Sequence, residues 1–222
     1  MKGTGNQAMI DAIIDISHHN GPNLNFGAAK NADILGVIQK ATQGLSGVDP
    51  AFQSNRSKIR SANLLFGAYH FGDGSDGGLQ ARHFLEVTQS AANELIALDL
   101  EGNPAGPSMT LEEARAFVTV IFETVRKWPV LYSGHYLKEA LGGRPDTVLA
   151  QCPLWLAQYG PSAVLPPGWA KWSLWQYTDG GQPKIEPPGS QPVAGIGHCD
   201  RDRFNGDAAD LPAFWASVSL SA

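Results

Sequence analysis

The stretch Glu94-Leu95-Ile96-Ala97-Leu98-Asp99-Leu100-Glu101-Gly102-Asn103 decides how the rest of the chain is read. It has the apolar run of a buried strand and ends in two carboxylates. Side chains two apart on a strand share a face. Ile96, Leu98 and Leu100 therefore point one way, as for packing under helices, and Ala97, Asp99 and Glu101 point the other. Two acids on one buried face are costly without a partner or a use, which makes Asp99 and Glu101 the candidate chemical centre.

Outward from this strand the chain alternates. Strands are expected at Ala12–Ser17, Ile34–Lys40, Leu64–Phe71, the acidic stretch and Pro129–Ser133. Helices are expected after each: Asn25–Lys30 with Asn25 as N-cap, Phe52–Ala62, Leu79–Ala91, Thr110–Lys127 and Tyr136–Leu141. The fourth helix is the clearest. Thr110 and Glu113 form a capping-box pattern, Leu111, Ala114, Phe117, Val118, Ile121, Phe122 and Val125 recur at helical spacing, and Arg126 and Lys127 fall in the last turn. Phe52, Ile59 and Ala62 are the inner positions of the second helix, and Leu79, Phe84, Leu85 and Val87 share a side of the third.

Beyond residue 150 the rhythm changes. Pro153–Tyr159, Trp172–Tyr177 and Ile196–Asp200 read as strands, separated by Pro- and Gly-rich loops that include Pro161, Pro166, Pro167, Gly180, Pro183, Pro187, Pro188 and Gly189. Asp210 is expected to cap a closing helix with Pro212 in its first turn. Alternating strands and helices predict a parallel sheet, and eight such strands predict closure. The fold class is α/β: an irregular TIM-like barrel of eight strands with helical crossovers after the first five only. Residues 1–9 read as a flexible tail and 10–222 as a single domain.

Bulk composition fits. The chain has 222 residues, 43% of them hydrophobic and 17% charged, enough for a sizeable core. Its net charge of −5, with no run of Lys or Arg, argues against nucleic acid. Asp11 and Asp15 interrupt the first apolar stretch, so no secretory signal or membrane-inserting span is readable. Cys152 and Cys199 are expected as free, structural thiols.

In parallel barrels the active site lies at the C-terminal strand ends. Here those ends carry Asp15 with His18, then Lys40, Tyr69 with His70, Asp99 with Glu101, Tyr132, Gln158 with Tyr159, Gln176 with Tyr177, and Asp200. Carboxylates ringed by aromatic faces supply stacking, hydrogen bonding and an acid/base pair, the requirements for cutting a sugar polymer. Glu101 has the longer reach and is the candidate proton donor, its pKa expected to be raised by like charges at Asp99, Asp15 and Asp200. Cα atoms two apart on a strand are roughly 6.6 Å apart, near the boundary between retaining and inverting separations, so spacing leaves the stereochemistry open. The competing structural reading of Asp99 and Glu101 is an acid pair bridged to Lys or Arg in the barrel mouth; Asp15 has a turn or cap as its alternative, and Asp200 local pairing with Arg201 and Arg203. His18 and His19, taken as strand neighbours, point to opposite faces, which disfavours a metal and favours structural hydrogen bonding. His70 fits core and cleft equally. Trp155 and Trp175 fit packing as well as sugar stacking.

With those residues in place, the chain resembles the glycoside hydrolase family 25 lysozymes. The matching stretches are Asp15–Asn20, Val37–Thr42, Gly67–Phe71, Leu98–Gly102, Leu131–Ser133, Leu154–Tyr159, Leu174–Tyr177 and Asp200–Phe204, in family order. The resemblance implies the same eight-stranded barrel with five crossovers, no cofactor or metal, and a monomer acting on peptidoglycan strands of the cell wall, reached by phage lysis or a dedicated export route. It implies hydrolysis of the β-1,4 bond between N-acetylmuramic acid and N-acetylglucosamine, with Glu101 as acid/base and Asp99 orienting the substrate's own 2-acetamido group, giving net retention. It also implies that Asp15, Asp200, Tyr69, His70, Tyr132, Trp155, Gln158, Gln176 and Tyr177 line the substrate site. Two departures stand out. Asp200-Arg201-Asp202 is more charged than the family's apolar-Asp-apolar-Asn pattern, so that Asp202 competes with Asp200 for the equivalent place, and there is no wall-binding module. A glycan-binding barrel without turnover, or a hydrolase of another amino-sugar polymer such as chitin, are the alternative functions.

Overall fold

The computed structural model describes residues 9–89, 93–181 and 191–219. The tail expected at residues 1–9 lies outside this range except for Met9, as do Pro183, Pro187, Pro188 and Gly189. The elements run β1 (Ile10–Ile16), α1 (Phe26–Asn31), β2 (Gly36–Gln43), β3 (Gly47–Val48), α2 (Phe52–Ser61), β4 (Leu65–Phe71), α3 (Gly77–Thr88), β5 (Leu95–Asp99), α4 (Leu111–Val125), β6 (Val130–Ser133), α5 (His135–Leu141), β7 (Leu154–Ala157), β8 (Leu174–Thr178), β9 (Asp200–Phe204) and α6 (Leu211–Ser217). The sheet order is β1-β9-β8-β7-β6-β5-β4-β2-β3, and β1 also pairs with β2. Eight strands thus close a barrel, and β3 is a two-residue arm folded back on β2. The five crossovers are α1 to α5.

The pairing is parallel from β1 through β2, β4, β5, β6, β7 and β8. The last strand departs from the parallel expectation: β9 is antiparallel to both β8 and β1. It also starts later than predicted, at Asp200 rather than Ile196. The direction matters for the site. In an antiparallel strand the N-terminal residue, Asp200, lies beside the C-terminal ends of its neighbours, and Asp200 pairs in register with Asp15.

Alternation sorts the strands into two layers. Ile14, Ile16, Val37, Phe66, Ala68, Ile96, Leu98, Leu100 and Leu131 face outward and pack with Phe52, Ile59, Phe84, Phe117, Val118 and Ile121 of the helices. Ile13, Ile38, Leu95, Ala97, Val130, Trp155, Leu174 and Phe204 face inward. The inner layer is closed at its base by α6, whose Leu211 and Trp215 are fully buried with it. Trp215 Nε1 donates to the Phe66 carbonyl at 2.7 Å. A Cβ at Gly36 would lie 3.0 Å from the Trp215 ring, so a side chain there would require the ring to shift by a few tenths of an ångström. With its base plugged, the barrel is accessible from the strand tops.

Local signals held in part. Thr110 and Glu113 form the expected capping box, and Asn25 caps α1. Arg126, at φ 60°, ends α4, so Arg126 and Lys127 lie past its last turn. Leu79 is 49% exposed on α3, and Gln80 and Ala81 turn inward with Phe84 instead. Asp210 makes no capping bond; Asp207 Oδ1 accepts from the Ala209 and Asp210 amides and ties down the entry to α6. Cys152 and Cys199 are buried free thiols. Among the described residues no helix is long and apolar enough to cross a membrane.

The plug is a fold prediction in itself. Trp215→Ala should destabilise the protein by about 3–5 kcal/mol, as for other deletions of a large buried aromatic, measured as a lowered denaturant midpoint. A loss below 1 kcal/mol would show that α6 does not close the barrel.

Candidate active site

Each barrel strand places one side chain at the top of the inner face. Asp15, Tyr69, Asp99, Tyr132, Gln176 and Asp200 arrive this way, with Glu101 two residues beyond Asp99 and Tyr159 two beyond Ala157. Together with Trp155 they line one cleft of about 200 Å³. The acidic stretch behaves as its alternation requires: Ala97 is in the barrel interior and Asp99 and Glu101 stand above it. The strand is held there past its last assigned residue, because the Leu100 amide donates to the Tyr132 carbonyl at 2.9 Å.

The floor is aromatic and hydrogen-bonded. Trp155 lies edge-on to Tyr132 and Tyr69, with centroids 4.7 and 6.4 Å away. Tyr132 Oη donates to Gln176 Oε1 at 2.9 Å, and Gln176 Nε2 donates to Asp15 Oδ2 at 2.8 Å. Trp155 Nε1 donates to Asp202 Oδ1 at 2.6 Å. The Trp155 indole and the Gln176 amide thus hold Asp202 and Asp15 in the floor.

Burial dominates the electrostatics. Asp99, 5% exposed, has its pKa pushed well up by burial first, then by the charge of Glu101; Lys40 pulls it back and Asp200 adds to it. Its Oδ1 is buried without a hydrogen-bond partner among the described residues. Glu101 is half-buried, and burial raises its pKa while Lys40 opposes the rise. Like-charge repulsion, expected from sequence to raise Glu101, acts instead on Asp99. Asp15 is raised strongly by burial and then by Asp200 and Asp202. Asp200 is pushed up to about 6 by burial and Asp179. Lys40 is the cation acting on both Asp99 and Glu101. Burial lowers its own pKa, the acids Asp99, Asp49 and Glu101 oppose the drop, and its Nζ donates to Gln43 Oε1 at 2.7 Å.

Three expected lining residues are elsewhere, all for the same reason. His70 follows Tyr69 on β4 and so points outward. It is fully buried under α3 and α4, bonded to Thr42 and Gln80 and stacked on Phe117 at 5.0 Å; burial holds its pKa down to about 4. Tyr177 follows Gln176 and also points outward, against Leu154, Leu156 and Trp175. Its hydroxyl donates to Asp11 Oδ2 at 2.5 Å, and Arg203 lies over its ring. Gln158 precedes the inward Tyr159; it accepts from Lys138 Nζ at 2.6 Å and donates to the Ser162 carbonyl. Tyr159, 41% exposed, takes the place at the cleft. The period-2 rule applied to each polar pair at a strand end would have found Tyr159 and excluded His70 and Tyr177. Trp175 is a packing residue, as its outward parity requires.

Asp200 and Asp202 are not alternatives. Both face the interior, Asp200 at the rim and Asp202 fully buried one step below. Nor do Arg201 and Arg203 neutralise them: these point outward, Arg201 to Asp11 and Arg203 over Trp175 and Tyr177. His18 and His19 occupy a 3₁₀ turn, not a strand, with rings side by side at 3.9 Å. His18 Nδ1 pairs with buried Asp49 at 2.8 Å.

A closed barrel with a carboxylate cleft at its strand tops has close relatives. A sequence profile described as glycosyl hydrolases family 25 matches residues 14–184. The chain is 30% identical to lysozyme M1 of Streptomyces globisporus over 215 residues, covering 90% of this chain and 69% of that protein. Its fold matches the bacterial lysozyme of Streptomyces coelicolor with a TM-score of 0.80 at 29% identity, covering 93% of this chain and 97% of that one. It matches the muramidase of Acremonium alcalophilum with a TM-score of 0.77 at 30% identity, covering 91% and 97%. The chain belongs to glycosyl hydrolase family 25 and is a glycoside hydrolase of the lysozyme and muramidase type.

Proposed function

We propose that this protein is an N-acetylmuramidase that cuts the β-1,4 bond between N-acetylmuramic acid and N-acetylglucosamine in peptidoglycan, with net retention through the substrate's own acetamido group. The observation that carries the reading is the pairing of Asp99, buried with one unpartnered oxygen, with Glu101, half-buried two residues on in the same cleft. The relatives named lysozyme and muramidase support it.

Glu101 is the general acid. Burial raises its affinity for the proton, so it keeps that proton to higher pH than an exposed glutamate would, with Lys40 opposing the rise. It protonates the glycosidic oxygen as the bond breaks, then as a carboxylate takes a proton from the incoming water. Asp99 lacks a donor at Oδ1, and an acetamido N–H supplies one. That hydrogen bond favours the ionised carboxylate, offsetting the burial that raises Asp99 in the free protein. It also makes the amide carbonyl a better nucleophile towards the anomeric carbon. The stabilisation is largest as positive charge develops there, so its effect falls on kcat. Tyr69, Tyr132 and Tyr159 supply sugar-facing surface, backed by the buried Trp155, and Asp15, Gln176 and Asp200 supply polar contacts.

Reducing-end release from purified peptidoglycan, with mass analysis of the fragments, tests the bond. Muramic acid at the new reducing end is expected. Cleavage of chitin alone would redirect the reading to another amino-sugar polymer, and binding without release would indicate a glycan-binding barrel.

Glu101→Gln should lower kcat by at least about 10²-fold, the usual worth of a positioned proton donor, with the thermal transition unchanged; appreciable residual activity would remove it as the acid. Asp99→Asn should lower kcat by about 10²-fold or more, the scale of losing one preorganised electrostatic contact, with little change in KM, whereas a change confined to KM would contradict the acetamido role. Lys40→Met removes the charge that holds both acids down. Both pKa values then rise, and both limbs of the kcat–pH profile should move to higher pH. An unmoved or downward-shifted profile would show that Lys40 does not tune the pair.

A further inference from the structure

Below the cleft rim lies a carboxyl that the reaction outlined above does not use. Asp202 is 0% exposed and sits on the inner face of β9, one inward step beneath Asp200. Its Oδ1 accepts from Trp155 Nε1 at 2.6 Å, but its Oδ2 is buried with no donor. The carboxyl of Asp15 lies within hydrogen-bonding reach. Asp15 is itself held at Oδ2 by Gln176 Nε2. Two ionised carboxylates in this position would face each other as acceptors alone, in an interior where an unpaired charge is expensive.

Among the described residues, the groups around Asp202 offer no countercharge. Asp15 and Asp11 come from β1, Asp200 from its own strand, and these are the charges that act on it. The adjacent β8 brings Gln176, and β7, one strand further, brings Trp155, both neutral. Arg201 and Arg203 point to the outer face.

We propose that Asp202 is a positioning residue that holds Asp15 at the cleft through one proton shared between the two carboxyls. The proton supplies the donor that Asp202 Oδ2 lacks. One network then runs from Trp155 through Asp202 and Asp15 to Gln176 and Tyr132, locking the cleft floor to its rim. Burial is the leading cause that raises the proton affinity of both: on Asp15 the charges of Asp200 and Asp202 add to it while the Gln176 hydrogen bond opposes it, and on Asp202 the charges of Asp200 and Asp11 add to it while the hydrogen bonds with Trp155 and Asp15 oppose it. Loss of the proton at high pH would leave adjacent anions, and Asp15 would be driven from its place.

The role of the network in turnover rests on the muramidase reading; the shared proton does not. The two are separated by measuring activity and stability on the same variants. In Asp202→Asn the side-chain amide donates permanently to Asp15 and its oxygen still accepts from Trp155, so no proton is needed. Its activity should fall off at higher pH than that of the wild type, the ratio of variant to wild-type kcat/KM rising steadily through the alkaline limb. Asp202→Val, which keeps the volume but offers neither contact, should lose activity at every pH, with Asp202→Asn rescuing it.

Stability carries its own sign. An acid whose folded pKa lies above its unfolded value costs the folded state stability as pH rises from the ordinary carboxyl value to the raised one. Asp202→Asn removes that cost, so its Tm should gain on the wild type across that window. A parallel Tm–pH curve would overturn the shared proton whatever the activity. A Tm gain with a superimposable pH–activity profile would overturn the positioning role. If the wild type cuts no peptidoglycan, the Tm comparison still decides whether the proton is shared.

Discussion

The structure depends on a desolvation constraint. A barrel plugged at its base by Trp215 and Leu211 has a low-dielectric interior, and the acids Asp15, Asp99, Asp200 and Asp202 face into it. Each carboxyl lowered into that interior must find a donor, share a proton or stay partly wet. Trp155 and Gln176 donate to Asp202 and Asp15, and Lys40 supplies charge near Asp99 and Glu101. The carboxylate oxygens left without partners among the described residues, Asp99 Oδ1 and Asp202 Oδ2, are where the proposed acetamido contact and the proposed shared proton would complete the site. Stability is spent to hold carboxyl groups with raised proton affinity, a trade typical of catalytic clefts.

The direction of one strand assembles this set. Seven strands run parallel and deliver their side chains at their C-terminal ends. The eighth, β9, runs the other way and delivers Asp200 from its first residue, in register with Asp15. The reversal also puts Asp202 one step deeper, where a parallel strand would have directed it towards the rim. Arg201 and Arg203, between and after the acids, are excluded to the outer face, so the acidic character of the cleft survives in a stretch of alternating charge.

Much of this was legible from residue pattern. The parity of Ile96, Leu98 and Leu100 against Ala97, Asp99 and Glu101 located both layers of the barrel and placed the two acids together at the cleft, because a strand buried on both faces leaves side-chain direction no freedom. The crossovers were readable because each helix carries its own apolar stripe. Where the reading failed, a local rule gave way to the surroundings. His70, Tyr177 and Gln158 follow or precede an inward residue and were taken with it, though alternation turns them out. The direction of β9 is set by closure against β1 and β8, a non-local requirement that no dipeptide signals. The source of Glu101's raised pKa also escaped sequence, since burial depth and the position of Lys40 are tertiary facts.

A chain of net charge −5 with an acidic cleft gains little from long-range attraction to an anionic wall polymer. In the proposed muramidase reading, recognition then rests on short-range contacts with the aromatic floor and on the hydrogen bond that an acetamido group offers Asp99. On that reading the same contact also governs stereochemistry. The most direct test is proton NMR of the first-formed product during hydrolysis of a soluble β-1,4-linked muramyl glycan, before mutarotation. Attack by the acetamido group followed by water predicts the β anomer at the new reducing end. Initial appearance of the α anomer would show a single displacement by water and would contradict the roles proposed for Asp99 and Glu101.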